Sequence, residues 1–237
     1  HSIIILLRRK NLRFLRCTNH YTNTLPTIMK KIITTFIVLY SISTFSQDFE
    51  GEITYDISYF SRENTIAITS AELITQLGNR TTFITKQEKS KQRTNSVFMA
   101  FIYYNPDENK IYYKDRIESD TLFFEKGNRY PNTEFTYEII KNADTILGHI
   151  CDKLIYKDQN LEQHLYFASE LKVDPKYFDN FTSFNKNKQT DLMKSIYLRL
   201  DSFFPNFIIK TIATDIKKRK INNSEFDLPE YKIITEK

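Results

Sequence analysis

The sequence predicts an α+β domain on an antiparallel sheet, and three observations carry that prediction. Residues 51–59 alternate strictly between apolar and polar side chains, the period of a half-buried strand. Short β-branched and aromatic runs recur as far as residue 216, separated by turn-forming residues. Helical patterns occur in only two stretches, after Thr69 and after Asp174. Runs of strands with few helices make antiparallel sheets, because each parallel pair needs a long crossover.

Each element follows from local chemistry. Ile53, Tyr55, Ile57 and Tyr59 share one face of the first strand, and Glu52, Thr54, Asp56 and Ser58 share the other. Residues 69–78 read as a short helix: Thr69 can cap it, Glu72 lies three residues on, and Gly78 can end it. Residues 81–85 form a strand. Residues 97–104 and 110–114 flank Asn105-Pro106-Asp107-Glu108-Asn109 and read as a β-hairpin. Strands follow at 121–124 and 135–140, with a Gly- and Pro-marked loop between them. Two more fall near 150–156 and 161–167. Asp174-Pro175 starts a helix whose Tyr177, Phe178 and Phe181 share a face. Residues 190–200 read as a second helix and 207–216 as a strand.

The charge is unevenly placed. The chain carries a net +5, yet residues 1–46 hold seven basic side chains and no acidic one. The remainder keeps 27 basic residues against 29 acidic, a net −2. A nucleic-acid binder needs positive charge on its folded surface, so no nucleic-acid partner is expected.

That basic leader has the anatomy of a signal peptide. Met29-Lys30-Lys31 is a positive start, residues 32–44 are an apolar run, and Thr44 and Ser46 are small residues before a cleavage point. The apolar run falls short of the ~20 residues that span a bilayer, and no full span occurs elsewhere. The expected organisation is therefore an upstream extension at 1–28, a signal peptide at 29–46, and one exported antiparallel-sheet domain at 47–237. The expected location is the periplasm, the cell envelope or the exterior.

Cys151 is the lone cysteine after residue 46, so no disulfide forms within that part of the chain. In an apolar strand pattern it reads as a small buried hydrophobe. Phosphate-cradling loops, nucleophile elbows and zinc-binding pairs are all missing from the sequence. His149 and His164 remain, with Glu162 sharing a strand face with His164 and Asp152 nearby. Metal sites take three or four ligands, so no metal and no cofactor is expected. Tyr103, Tyr104, Tyr112 and Tyr113 flank the hairpin turn. They read first as cross-strand packing and secondly as a candidate ligand face, an aromatic wall for an apolar or sugar-like molecule. Lys217-Lys218-Arg219-Lys220 reads as a solvated turn.

Three segments together resemble the uncharacterised exported proteins of Bacteroidetes of the GLPGLI type and their relatives of unknown function. They are Phe45-Ser46-Gln47 followed by Gly51-Glu52-Ile53-Thr54-Tyr55; Ile146-Leu147-Gly148-His149-Ile150-Cys151-Asp152-Lys153; and Leu171-Lys172-Val173-Asp174-Pro175 with a closing Phe226-Asp227-Leu228-Pro229. The resemblance implies a curved antiparallel sheet, a half-barrel like that of lipoprotein carriers, with a few helices packed on one face. It implies structural roles for Gly148 and Cys151 and no catalytic residues.

The resulting expectation is an exported protein that binds an apolar ligand such as a lipid or acyl chain. The alternatives are an envelope module that docks another protein and, with no catalytic motif to support it, an enzyme.

Overall fold

The computed structural model describes residues 48–62, 69–117, 120–159 and 161–236. The extension and signal peptide read in residues 1–46 lie outside the described residues. Twelve strands are described: β1 (Gly51–Ser61), β2 (Arg80–Lys86), β3 (Lys89–Thr94), β4 (Phe101–Asn105), β5 (Lys110–Lys114), β6 (Thr121–Lys126), β7 (Thr136–Ile146), β8 (His149–Lys157), β9 (Glu162–Lys172), β10 (Ser195–Phe203), β11 (Phe207–Lys218) and β12 (Ile233–Glu236). Helix α1 (Ser70–Leu77) follows β1, and α2 (Lys186–Met193) lies between β9 and β10.

All twelve strands join one open sheet in the order β12-β6-β5-β4-β3-β2-β1-β11-β10-β9-β8-β7. It consists of two antiparallel meanders, β1–β6 and β7–β11, zipped together by β1 and β11 from Gly51↔Lys218 to Ser61↔Phe207. The sheet is mixed, because β12 lies parallel to β6. That pair departs from the all-antiparallel expectation. The last strand can reach the far edge only because residues 219–232 cross the sheet first.

Several local readings hold. Thr69 and Glu72 close a capping box: the Glu72 N–H donates to Thr69 Oγ1 at 3.2 Å, and the Thr69 N–H donates to Glu72 Oε2 at 2.8 Å. The β4–β5 hairpin forms with Tyr103 opposite Tyr112. Two readings need correction. Residues 97–100 are not strand, because Ser96 Oγ accepts the Phe98 and Met99 N–H groups at 3.1 Å each and turns the chain, so β4 begins at Phe101. Residues 190–200 are not one helix. Lys194 adopts φ 50 and ends α2, and β10 then pairs with β9 from Ser195 onward.

Each face of the sheet has its own cover. On one face residues 219–232 form a strap over β2–β6, with Ile221 and Phe226 packed on Ile84, Phe101, Tyr103, Tyr112 and Leu122. Sheet lysines grip this strap: Lys86 Nζ donates to Ile221 O at 3.0 Å, and Lys91 Nζ donates to Glu225 O at 3.2 Å and Asp227 O at 3.1 Å. Arg219 anchors its start, with Nη2 at 2.7 Å from Glu225 Oε2 and 3.1 Å from Glu52 Oε2. On the other face residues 173–194, the β9–β10 connection, form an insert over Tyr104, Ile111 and the β8–β9 hairpin.

Asn185 fixes the insert. It is 1% exposed, has φ 53, and sits where two short helical segments meet at a kink. Its Nδ2 donates to Thr133 Oγ1 at 2.8 Å and to the Tyr156 hydroxyl, and its Oδ1 accepts the Thr133 N–H at 2.8 Å. Asn is among the few residues that take this left-handed backbone readily. Replacement by Ala strands buried polar groups and strains the backbone. Asn185→Ala is expected to lose about 3 kcal/mol of stability, read from urea unfolding.

The strap carries a pH dependence. The Arg219 guanidinium holds the Glu225 carboxyl down at about 2, below its ordinary value. A carboxyl depressed by folding contributes stability above its unfolded pKa, and the contribution is lost as pH falls through the folded value. Amide exchange across residues 219–232 should therefore accelerate between about pH 4 and 2, and Glu225→Gln should remove that dependence.

Candidate functional site

Between the sheet and the insert lies a cavity of about 210 Å³. Its floor is formed by alternate residues of successive strands: Phe83 and Thr85 of β2, Ser90 and Gln92 of β3, Ile102 and Tyr104 of β4, and Ile111 of β5. Their sequence neighbours Ile84, Phe101, Tyr103 and Tyr112 point the other way, under the strap. Tyr55 of β1 and Ile196 and Tyr197 of β10 close one side. The roof is the insert: Val173, Phe178, Phe181, Lys186, Thr190 and Met193.

Strand alternation separates the four hairpin tyrosines. Tyr104 lines the cavity, stacked on Phe178 at 5.8 Å and against Phe181 at 4.8 Å between ring centroids. Tyr103 and Tyr112 stack on each other at 6.3 Å on the strap face. Tyr113 packs on Phe123 at 5.6 Å. Burial pushes Tyr103 and Tyr104 up to about 12, so both phenols are neutral at physiological pH.

Four of the lining hydroxyls are already engaged. Tyr55 donates to Tyr197 O at 2.8 Å, Tyr104 to Asn109 Oδ1 at 3.2 Å, Ser195 to Leu171 O at 3.0 Å and Thr190 to Lys186 O at 2.9 Å. Among the described residues no Asp, Glu or His lines the space.

Lys186 is the exception to this apolar lining. It is the first residue of α2, and its Nζ lies 5.6 Å from the Phe178 ring centroid. Among the described residues its ammonium makes no ion pair or hydrogen bond. Desolvation alone lowers it from the usual lysine value to about 8. Sequence reasoning passed over it. It stands in the polar run Asn185-Lys186-Asn187-Lys188, and only the fold of the insert places it against the cavity.

The other singled-out residues lie apart from the cavity. Gly148, at φ 83, and Leu147, at φ 51, form the two-residue turn between Ile146 and His149. Both positions take positive φ, as a type I′ hairpin requires. Cys151 is fully buried beside Leu171 and Leu198, and burial raises its thiol. His164 Nε2 lies 2.9 Å from Glu162 Oε1, and His149 Nδ1 lies 2.6 Å from Glu170 Oε1. Asp152 instead pairs with Lys141 at 2.7 Å. No group of three or more His, Cys, Asp or Glu that could hold a metal ion occurs among the described residues. No helix among them is long and apolar enough to cross a membrane.

No family model and no curated protein matches the chain. Solved structures of PNGF-II in two crystal forms do. The P21 form gives a TM-score of 0.46 at 17% identity over 80% of this chain and 32% of that chain. The C2 form gives 0.42 at 18% identity over 78% and 31%. The chain spans about a third of the length of these proteins.

A lone charge partly withdrawn from water weakens a fold, and a Met of similar length removes it. Lys186→Met should stabilise the empty protein by about 1–3 kcal/mol at pH 7. The unmodified protein should itself gain stability as pH rises from about 8 to 10.5, where the unfolded chain still holds the Lys186 proton and the folded one has released it. In Lys186→Met that gain should be absent from thermal melts across the same range.

Proposed function

We propose that the protein is an exported envelope binding protein that holds a small apolar ligand of the acyl type between its sheet and its insert. The observation that carries this reading is the cavity itself: aliphatic and aromatic side chains converge from five strands and the insert and leave the space between them unfilled. Protein interiors normally pack to crystal-like density, and a dry apolar void of about 150 Å³ is enough to bind benzene. The signal-peptide pattern of residues 29–46 supports export.

A chain-length argument supports curvature of the sheet toward the insert. The β6–β7 connection, residues 127–135, can span at most about 35 Å. In a flat sheet β6 and β7, ten strand spacings apart, would be separated by about 48 Å. The connection also touches the insert from both sides, through Ser183 N–H to Gly127 O at 2.9 Å and through Thr133 to Asn185. These contacts favour a sheet curled around the insert, the half-barrel form.

The alternative of a sheet edge that docks another protein has less support. Edge strand β7 is interrupted between Ile140 and Asp144, where Asn142 takes φ 51, and it carries Glu138, Lys141 and Asp144. Bulges and charges of this kind blunt an edge against strand addition.

Lipid-stripped protein should take up a fluorescent short-chain acyl probe saturably, with one site per chain. Ser90 lines the cavity floor, and Ser90→Phe should fill the space and weaken uptake at least about tenfold while keeping a cooperative melt. Uptake by the wild type that never saturates would refute the reading.

A further inference from the structure

Resting on the reading above, we propose that the cavity is selective for carboxylates: Lys186 receives the acid group of a short fatty acid whose tail lies on Phe83, Ile102 and Tyr104. The ligand class is a small amphiphilic monocarboxylate.

The argument begins with an unbalanced charge. Of the described residues that line the cavity, Lys186 alone carries a charge at neutral pH. The titratable groups that share the space are the phenols of Tyr55, Tyr104 and Tyr197, and burial pushes all three up, so they are neutral through pH 9. Among the described residues no carboxylate reaches the ammonium. Its nearest favourable contact is the face of the Phe178 ring. A ligand carboxylate would complete an ion pair and make charge-assisted hydrogen bonds in a site that excludes most water, where both interactions are strong.

The remaining lining fits an acyl tail. Apart from Lys186 in the roof, the lining's other polar side chains, among them Thr85, Ser90 and Gln92 on the floor and Thr190 and Ser195 elsewhere, are uncharged. A volume of about 210 Å³ holds roughly seven methylene-sized groups at about 30 Å³ each. This corresponds to the tail of octanoate. A neutral alcohol of the same length would leave the ammonium without a counter-ion, and an amine would add a second positive charge to it.

The test compares three isosteric probes, octanoate, octan-1-ol and octylamine, by calorimetry on the purified lipid-stripped full chain at pH 7. Octanoate should bind at least tenfold more tightly than octanol, and octylamine should bind most weakly. Lys186→Met should bring octanoate down to the level of octanol while octanol binding persists, which shows that the cavity survives the substitution. The advantage of octanoate should shrink above pH 9 as Lys186 loses its proton, with octanol unaffected. Equal binding of octanoate and octanol to the wild type would overturn the carboxylate assignment and leave the apolar-ligand reading standing. Unchanged octanoate affinity in Lys186→Met would also overturn it. Failure of all three probes to bind would overturn both readings.

Discussion

The cavity side of the molecule depends on the hydrogen bonds of Asn185. They tie the insert to the β6–β7 connection through Thr133 and to β8 through Tyr156, three segments distant in sequence. The same residue carries the left-handed backbone that starts α2. The direction of Lys186, the next residue, is therefore set by a buried polar anchor. A loop held only by apolar contacts could slide and fill the space beneath it. A roof pinned by directional bonds stays above the floor and preserves the void.

Lysines on the two faces are treated differently. Under the strap, Lys91 and Lys114 donate to main-chain carbonyls, Lys114 at 2.8 Å from Thr121 O. Both are less than 10% exposed, and both are satisfied. Lys186, within the insert, has the face of an aromatic ring and no acceptor among the described residues. The chain supplies acceptors to its structural lysines and leaves the one at the cavity, among the described residues, without a counter-ion.

The legible parts of the fold were those written in local chemistry. The capping box at Thr69 and Glu72, the Asn105–Asn109 turn and the alternation of β1 each depend on residues a few positions apart. Strand β3, Lys-Ser-Lys-Gln-Arg-Thr, carried no apolar signal, because its buried position, Lys91, is a lysine satisfied by carbonyls some 135 residues away. The stretch 190–200 misled because Met193 and Leu200 fit a helical face, while the left-handed break falls on Lys194 and not on a glycine. The site was legible only in part. Tyr104 stood among the candidate residues, but the void it borders is made by the insert crossing strands that precede it in sequence, and its charge was hidden in a polar run.

The seam between β1 and β11 also bears on how the molecule is assembled. Its partners, from Gly51 with Lys218 to Ser61 with Phe207, are separated by about 150 residues or more, whereas every other antiparallel pair among the described strands joins neighbours along the chain. Each meander can zip from its own hairpins, but the two halves unite only when nearly the whole polypeptide is present, at the entropic cost of closing a long loop. Until then β1 exposes a free edge on the side that later meets β11. Folding that begins while the C-terminal fifth is withheld would stall at two half-sheets, vulnerable to pairing with other chains.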